Sequence, residues 1–473
     1  MRELAGSLLG AALIGCAPGP TPVAPLQELV DLTAAPGPNS ALTLIVRWHT
    51  TAPATSVVRY GEGGTLTWEI ADPALTTEHE VVLYGLHAEA QVTVRAASVF
   101  ADGMLRVADD LVASTGALPP WVPVAEVPPF DEDRVQPGWT LINVSHRPEG
   151  WPPTAVMYDL HGEPVWYVVS APGAVDLRGD LDTSFTADGR VLVGASGAGI
   201  APAAFALSGE RVWDGPPQVD PVQHHHFQQL DDGTYAALRY AADPGFPGLL
   251  LASVVQTDAD NAVIWSWDAF DHLDALGVPT GVTGDPLHAN SVTFDGDRVY
   301  LNSRNRSALY AIDRASSEVL WRLGSGGDFA PDPEAADPWF RLEHEPELQD
   351  DGSWLFYDNG GLLGDHARIL QLAIDEEART TEVVWQFPGG AAVDPWYTED
   401  WYSPIWGDAD RLPNGDVLVA AGTRLPGGQS RVFEVSPAGE VVWEMILPAE
   451  GEDVVGTYRA QRLDVPLTAV TGQ

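Results

Sequence analysis

The chain has 473 residues and a formal net charge of −43, with 24 Lys and Arg set against 67 Asp and Glu. Phosphate backbones are held by clustered cations, so this balance excludes a nucleic-acid partner. An apolar share of 45% supports a large core, and a single cysteine excludes an internal disulfide, so the fold must stand on packing alone.

The chain opens with a short apolar run, 8–14, ending in Leu13-Ile14-Gly15-Cys16. A bilayer span needs about 20 apolar residues, so residues 1–15 read as an export signal. The ending resembles the bacterial lipoprotein box. That resemblance implies a lipid on Cys16, export, anchoring in the bacterial cell envelope (periplasm or cell surface) and no other membrane contact. A plain signal peptide with an incidental cysteine is the alternative. Residues 16–25, rich in Pro, Ala and Gly, read as a tether. Alternating apolar stretches at 42–48, 56–60, 81–86 and 91–96 predict a small β-sandwich over 26–115. Its Tyr84-Gly85-Leu86 step before a Val-Thr-Val strand resembles a fibronectin type III domain. Pro119, Pro120, Pro123, Pro128 and Pro129 within 116–138 predict a stiff linker.

From 139 to 466 one phrase recurs six times, an apolar pair or single residue followed by tryptophan: Trp166, Trp213, Trp265, Trp321, Trp385 and Trp443. The intervals of 47, 52, 56, 64 and 58 residues fit one four-stranded blade per repeat and predict an all-β, six-bladed β-propeller. Asp188-Gly189, Asp232-Gly233, Asp295-Gly296, Asp351-Gly352 and Asn414-Gly415 mark hairpins whose turns favour positive φ. The first repeat lacks an inner strand, which the last stretch, 458–465, supplies. That closure removes open edges.

Six inner strands surround one axis, so equivalent positions along them form a ring. Four residues before the apolar anchors Phe185, Leu230, Val292, Leu348, Leu412 and Leu463 stand Leu181, His226, His288, His344, Asp408 and Arg459. Three successive repeats thus present histidine at one level in a chain with only 12. Strict alternation puts Asn290 on the face of His288 and His224 on that of His226, and turns Glu343 and Glu345 away. Hairpin geometry returns Arg304 to His288 and Asn359 to His344. The ring reads as neutral to cationic, with Asp408 its only acid, and so suits an anion. Two other readings stay open: a divalent metal on three histidines, and histidines satisfied within a packed channel.

Asp285-Pro286-Leu287-His288-Ala289-Asn290-Ser291 with Asn302-Ser303-Arg304, His344 ahead of Phe356-Tyr357-Asp358-Asn359-Gly360, then Tyr402-Ser403-Pro404 and Tyr458-Arg459-Ala460, resemble the bacterial arylsulfate sulfotransferase family. The resemblance implies an exported propeller enzyme that moves a sulfuryl group from a phenolic sulfate ester to a phenol acceptor, without a phosphoadenosine donor, cofactor or metal. It also implies His344 as nucleophile, with His288, Arg304 and His226 as further catalytic residues. The run His224-His225-His226 leaves the register of the last one open. Asn290, Asn359, Tyr402, Tyr458 and Arg459 are the expected substrate-binding residues. The chemistry expected is ping-pong transfer through a sulfohistidine. The alternatives are a non-catalytic propeller that binds an anionic aromatic ligand or a surface partner, and a structural scaffold.

Overall fold

The computed structural model describes residues 27–145, 147–169, 182–194, 201–216, 223–360, 367–388, 401–422, 430–450, 453–465 and 467–469. The signal segment, most of the tether, Cys16 and Leu181 lie outside these residues. The described chain is almost entirely strand, with three 3-10 turns.

Beyond residue 138 the described strands form six four-stranded antiparallel sheets, a two-stranded ribbon of Ala449–Glu450 with Asp453–Val454, and Thr468–Ala469, which joins the N-terminal strands. Sheet I comprises Thr183–Phe185, Val191–Val193, Ala203–Phe205 and Arg211–Asp214. Sheet II comprises Gln223–Gln229, Tyr235–Ala241, Leu251–Thr257 and Val263–Asp268. Sheet III comprises Ala289–Asp295, Arg298–Ser303, Ala308–Asp313 and Val319–Leu323. Sheet IV comprises His344–Leu348, Trp354–Asp358, Arg368–Asp375 and Thr380–Phe387. Sheet V comprises Asp408–Arg411, Val417–Ala421, Arg431–Val435 and Val441–Ile446. Sheet VI takes Ala460–Leu463 from the far end of the chain and pairs it with Trp139–Val144, followed by Thr154–Tyr158 and Pro164–Val169.

The first strands of sheets I to V lie side by side in order. Ala460–Leu463 packs against strands of both sheet V and sheet I. Every neighbouring pair of sheets encloses its own apolar cluster. Trp139, Met157 and Trp166 meet Val191 and Phe205 between VI and I, and Leu238 and Val254 meet Val292 and Leu301 between II and III.

The repeated tryptophans sit on the fourth strand of each sheet and latch it to the next. The indole N–H of Trp166 donates to Leu207 O, Trp213 to Ala259 O, Trp265 to Arg314 O, Trp385 to Pro437 O and Trp443 to Leu160 O. Each acceptor lies in the turn before the neighbour's own fourth strand. One such bond is worth about 1 kcal/mol net, and the flat ring fills the seam beside it. Trp321 is the exception: its indole N–H has no acceptor, and its ring packs edge-on against Phe329.

Four of the five Asp-Gly and Asn-Gly turns share one form, while at Asp295-Gly296 a two-residue loop joins the paired Asp295 and Arg298. At Asp188-Gly189 only the glycine has positive φ, +82°, and Gly189 N–H donates to Thr186 O while Thr186 N–H donates to Arg190 O. This is a type I turn closed by a glycine bulge, which needs one left-handed residue and not two.

Residues 29–114 supply six strands of a seven-stranded sheet built on two long strands, Leu44–Glu62 and Trp68–Leu83, and Thr468–Ala469 is the seventh. The first half of Leu44–Glu62 pairs with Leu29–Pro36 and its second half with Gln91–Val99. Register breaks near Ala54 separate the halves. Alternate residues Leu44, Val46, Trp48, Val58, Tyr60, Val92 and Val94 form one buried core. The proline-rich segment is not a free spacer. Val122 and Val135 are buried in the cluster shared with sheets V and VI, and Glu126 pairs with Ile446 as an added strand position.

The N-terminal unit is tied to sheet VI. Ala41 N–H donates to the Tyr167 hydroxyl (2.8 Å), and Thr468–Ala469 pairs with Trp68 and Glu69. His87 bridges the two parts, with Nδ1 3.0 Å from Glu62 and Nε2 3.2 Å from Asp159. The hydrogen bonds from Asp159 and Glu62 raise its pKa to about 10. The unfolded value is near 6.5. The clamp therefore contributes fully below about pH 6.5 and fades as pH rises through about 10. Water screens the half-exposed ring, so the effect is smaller than the shift alone implies. His87→Gln is expected to lower the melting temperature by a few degrees at pH 7 and to flatten its fall between pH 7 and 10. Matching melting profiles for the two proteins would exclude the clamp.

Candidate functional site

The inner ends of sheets II, III and IV share a local device. His225, His288 and Glu345 have φ of +57°, +45° and +40°. Pairing registers slip at the same places, between Gln223 and Phe227, between Ala289 and Ser291, and between His344 and Glu347. A bulge puts two residues opposite one and re-aims side chains. Positive φ in a non-glycine residue costs about 1 kcal/mol or more and marks a built feature. The alternation assumed from sequence therefore fails here, and the ring divides into two groups on either side of Tyr458.

The first group centres on His344, which is buried. Its Nδ1 is 2.7 Å from Asn359 Oδ1. The Asn359 NH₂ is spent on two carbonyls, Ser403 O (2.7 Å) and Trp406 O (2.8 Å). Its oxygen must then accept, so the proton of His344 sits on Nδ1 and the lone pair on Nε2. Trp406 N–H points at that lone pair from 3.2 Å. Trp406 itself has φ of +65°, and the Asn359 bond to its carbonyl holds this conformation.

Arg304 approaches the same loop. Its Nη2 donates to Pro404 O (3.2 Å) and Nη1 to Asn305 Oδ1 (3.0 Å), while its backbone N–H donates to His288 O. His288 is half-buried, with Nδ1 2.9 Å from Asp285 Oδ2. The ring of His225 meets that of His288 edge-on at 4.8 Å between centroids, and His225 Nδ1 is 2.8 Å from His224 Nδ1. Tyr458 forms the floor, its ring edge-on to His344 (6.2 Å), His225 (6.1 Å) and Trp406 (6.1 Å), and its hydroxyl donates to Asn290 O.

The second group lies beyond Tyr458 and centres on Arg459. The guanidinium donates to Asp182 Oδ1 (2.8 Å) and His226 Nδ1 (3.1 Å), pairs with Glu345, and lies 5.1 Å over the Tyr458 ring. Asp408 and Asp410 join these residues around a cavity of about 110 Å³. Burial, and then the Arg459 charge, hold the His226 pKa well below its ordinary value, so this imidazole is neutral. Burial pushes the Asp408 carboxyl up to about 7 and raises Asp182 and Glu345, against the pull of Arg459.

Several sequence expectations change. His226 does not join His288 and His344; the bulge before it passes that place to His225, and His226 packs on Arg459. Glu345 does not turn away but meets Arg459 inside the ring. Asp408 is not the only acid there: Asp182, Glu345 and Asp410 accompany it, and Arg459 is an internal counter-ion rather than a pocket cation. Asn290 is a brace, because its NH₂ donates to Glu343 O (2.8 Å) and its oxygen accepts from Asn302 (2.7 Å). Tyr402 packs against the apolar cluster between sheets IV and V with Tyr357 and Trp401. Asp285 and Asn302 stood in the quoted motif without a role, and the Trp406 peptide was not singled out in the sequence. Asp285 stood three residues before a candidate histidine, the spacing of a side-chain-to-backbone turn; a backbone amide leaves no sequence signal.

Chemically, the first group gathers one imidazole lone pair of fixed direction, a second imidazole backed by a carboxylate, a guanidinium and a backbone N–H around Tyr458 and the loop 403–406. Among the described residues no three His, Cys, Asp or Glu are placed to hold a metal ion. Residues 126–442 match the model of the arylsulfotransferase (ASST) family. None of the curated proteins matches the chain. Among solved structures, a protein of unknown function from Bacteroides caccae is 12% identical with a TM-score of 0.43, the match covering 68% of this chain and 100% of that one. A second protein of unknown function, from Bacteroides thetaiotaomicron, is 11% identical with a TM-score of 0.33, covering 89% and 98%. A mutant apocarotenoid oxygenase from Synechocystis is 10% identical with a TM-score of 0.32, covering 93% and 97%.

Proposed function

The chain belongs to the arylsulfotransferase family, and on that premise we propose that it transfers a sulfuryl group from a phenolic sulfate ester to a phenol by ping-pong chemistry through a sulfohistidine at His344. In this reading the six sheets are the blades of a closed propeller over 139–466, and the N-terminal strands over 26–115 are a fibronectin type III-like sandwich. The observation that carries the mechanism is the fixed tautomer of His344. Asn359 Oδ1 accepts from His344 Nδ1–H and leaves the Nε2 lone pair on the side of the Trp406 N–H, in the loop that Arg304 also reaches through Pro404 O.

Sulfuryl transfer proceeds through a loose, in-line transition state with negative charge on the equatorial oxygens, like phosphoryl transfer. Nε2 of His344 attacks sulfur, the N–S bond forms and the S–O bond to the aryl group breaks. In this reading Arg304 holds the sulfuryl oxygens, and the Trp406 N–H gives up its bond to Nε2 before the lone pair attacks. The leaving aryloxide, whose phenol has a pKa near 10 by analogy with tyrosine, takes a proton from His288. In the second half the acceptor phenol gives its proton to His288, its oxygen attacks sulfur and the N–S bond breaks. Asn359 is a neutral acceptor, so it orients His344 without adding charge that would tie down the product.

The test is transfer from p-nitrophenyl sulfate to phenol by the full chain. Nitrophenol release that depends on phenol, with parallel double-reciprocal lines, is expected. No release across several phenols between pH 6 and 9 would replace this reading with a propeller that binds an anionic aromatic ligand without turnover. We also propose export and a lipid on Cys16, from the apolar run and the Leu13-Ile14-Gly15-Cys16 ending. Fatty-acid labelling that is lost in Cys16→Ser is the expected result; equal labelling of both proteins would exclude that anchor.

A further inference from the structure

We infer that Asp285 is a positioning residue that makes His288 the proton carrier for the aryl oxygen. This rests on the sulfotransferase reading above. The carboxylate of Asp285 makes two bonds to one residue: Oδ1 accepts His288 N–H at 2.7 Å and Oδ2 lies 2.9 Å from His288 Nδ1. The turn that carries both is clamped from the returning strand. Ser303 Oγ and Asn305 N–H donate to Leu287 O, and Asn305 Nδ2 donates to Asp285 O. His288 sits at φ +45° within it. A non-glycine residue keeps that conformation only when its surroundings dictate it, and here they dictate where the ring points.

The two pocket histidines have opposite partners. His344 Nδ1–H donates a hydrogen bond to a neutral amide, Asn359, and His288 Nδ1–H donates one to a carboxylate. An amide fixes direction alone. A carboxylate fixes direction and also stabilises the imidazolium that exists while a proton is in transit. His344 is thereby set as nucleophile and His288 as acid, then base. When the S–O bond of the donor breaks, the proton on His288 Nε2 moves to the aryloxide, and the ring is left neutral with Nδ1–H on Asp285. When the acceptor attacks, Nε2 takes back one proton from the phenol. No other reactant is needed. The side chain of His288 is 32% exposed, whereas His226 is sealed.

The experiment compares the full chain with Asp285→Asn on two donors, phenyl sulfate and p-nitrophenyl sulfate. A nitrophenolate leaves without help, and an unsubstituted phenolate does not. The variant is expected to lose about 10²-fold in kcat/KM on phenyl sulfate, the usual weight of proton transfer, and less than tenfold on p-nitrophenyl sulfate. Equal losses on both donors, or none, would overturn the role of Asp285 while leaving the sulfotransferase reading intact. A wild-type chain inert toward both donors overturns both. A second measurement needs no turnover. Nitrogen chemical shifts of His288 are expected to show Nδ1–H in the wild type and a mixture of tautomers in Asp285→Asn; an unchanged tautomer in a folded variant contradicts the positioning.

Discussion

Replacing His344 with alanine is expected to abolish phenol-dependent release from p-nitrophenyl sulfate, with a loss of at least about 10³-fold, since one interaction is not weakened but the covalent route is removed. The fold should survive, because the ring fills a polar pocket bounded by Asn359, Trp406 and Tyr458 rather than an apolar seam. A melting temperature within a few degrees of the wild type, measured alongside, establishes that. The decisive companion is a trapping experiment. The wild type is incubated with a donor labelled in its sulfuryl group, without acceptor, then quenched in alkali and digested. Label is expected on the peptide containing His344 and on no other, and it should persist in His288→Ala if His288 handles only protons. Label found on the peptide of His288 or His225 would reassign the nucleophile. Transfer that survives in His344→Ala would leave no place for a covalent intermediate there.

How much of this was legible in the chain follows from the kinds of signal involved. The tryptophan phrase encodes a contact between sheets, a donor aimed at the neighbour's turn, and a contact repeated around the sheets, Trp321 alone lacking the bond, leaves a period in the sequence. The closing strand was legible because the first repeat lacked one. His288, His344, Asn359 and Arg304 could be placed by counting along hairpins, since a type I turn with a glycine bulge still returns the strand. The register of His226 and the direction of Glu345 could not. Both depend on left-handed backbone at His225 and Glu345 and on a bulge beside each. Glycine or asparagine would have announced such a bend; histidine and glutamate do not. One displaced residue moves the whole face, which is why a ring read as cationic holds four carboxylates around a single arginine. The Asn290 brace was missed for a related reason: whether an amide faces a ligand or a neighbouring carbonyl depends on the strand beside it.

That arginine carries the second large prediction. Arg459 pairs with Asp182 and Glu345 within a buried cluster that also holds Asp408 and Asp410. Removing one partner from a buried ion pair leaves a charge with neither water nor counter-ion, at a cost of about 3–5 kcal/mol. Arg459→Met keeps the bulk and stacking over Tyr458 but not the charge, so the loss should be electrostatic and should depend on pH. The sign follows from the carboxyls. Burial raises Asp182 and Glu345 and brings Asp408 up to about 7, above the unfolded value near 4. Between about pH 4 and 7 the folded chain therefore holds more protons than the unfolded one, and stability falls as pH rises through that window. Arg459 lowers all three groups, so without it the fall should be steeper. The gap in melting temperature between wild type and Arg459→Met is expected to be small near pH 5 and to widen toward pH 8. Comparing the two proteins at each pH cancels the repulsion of the whole acidic surface. A gap of equal size at both ends would mean that Arg459 acts by packing. Tyr458 lies against this guanidinium and also, edge-on, against the rings of His344 and His225. An acidic cluster that repels itself should then loosen the floor of the pocket before it unfolds the chain, so at pH 8 Arg459→Met should lose transfer at temperatures where it is still folded.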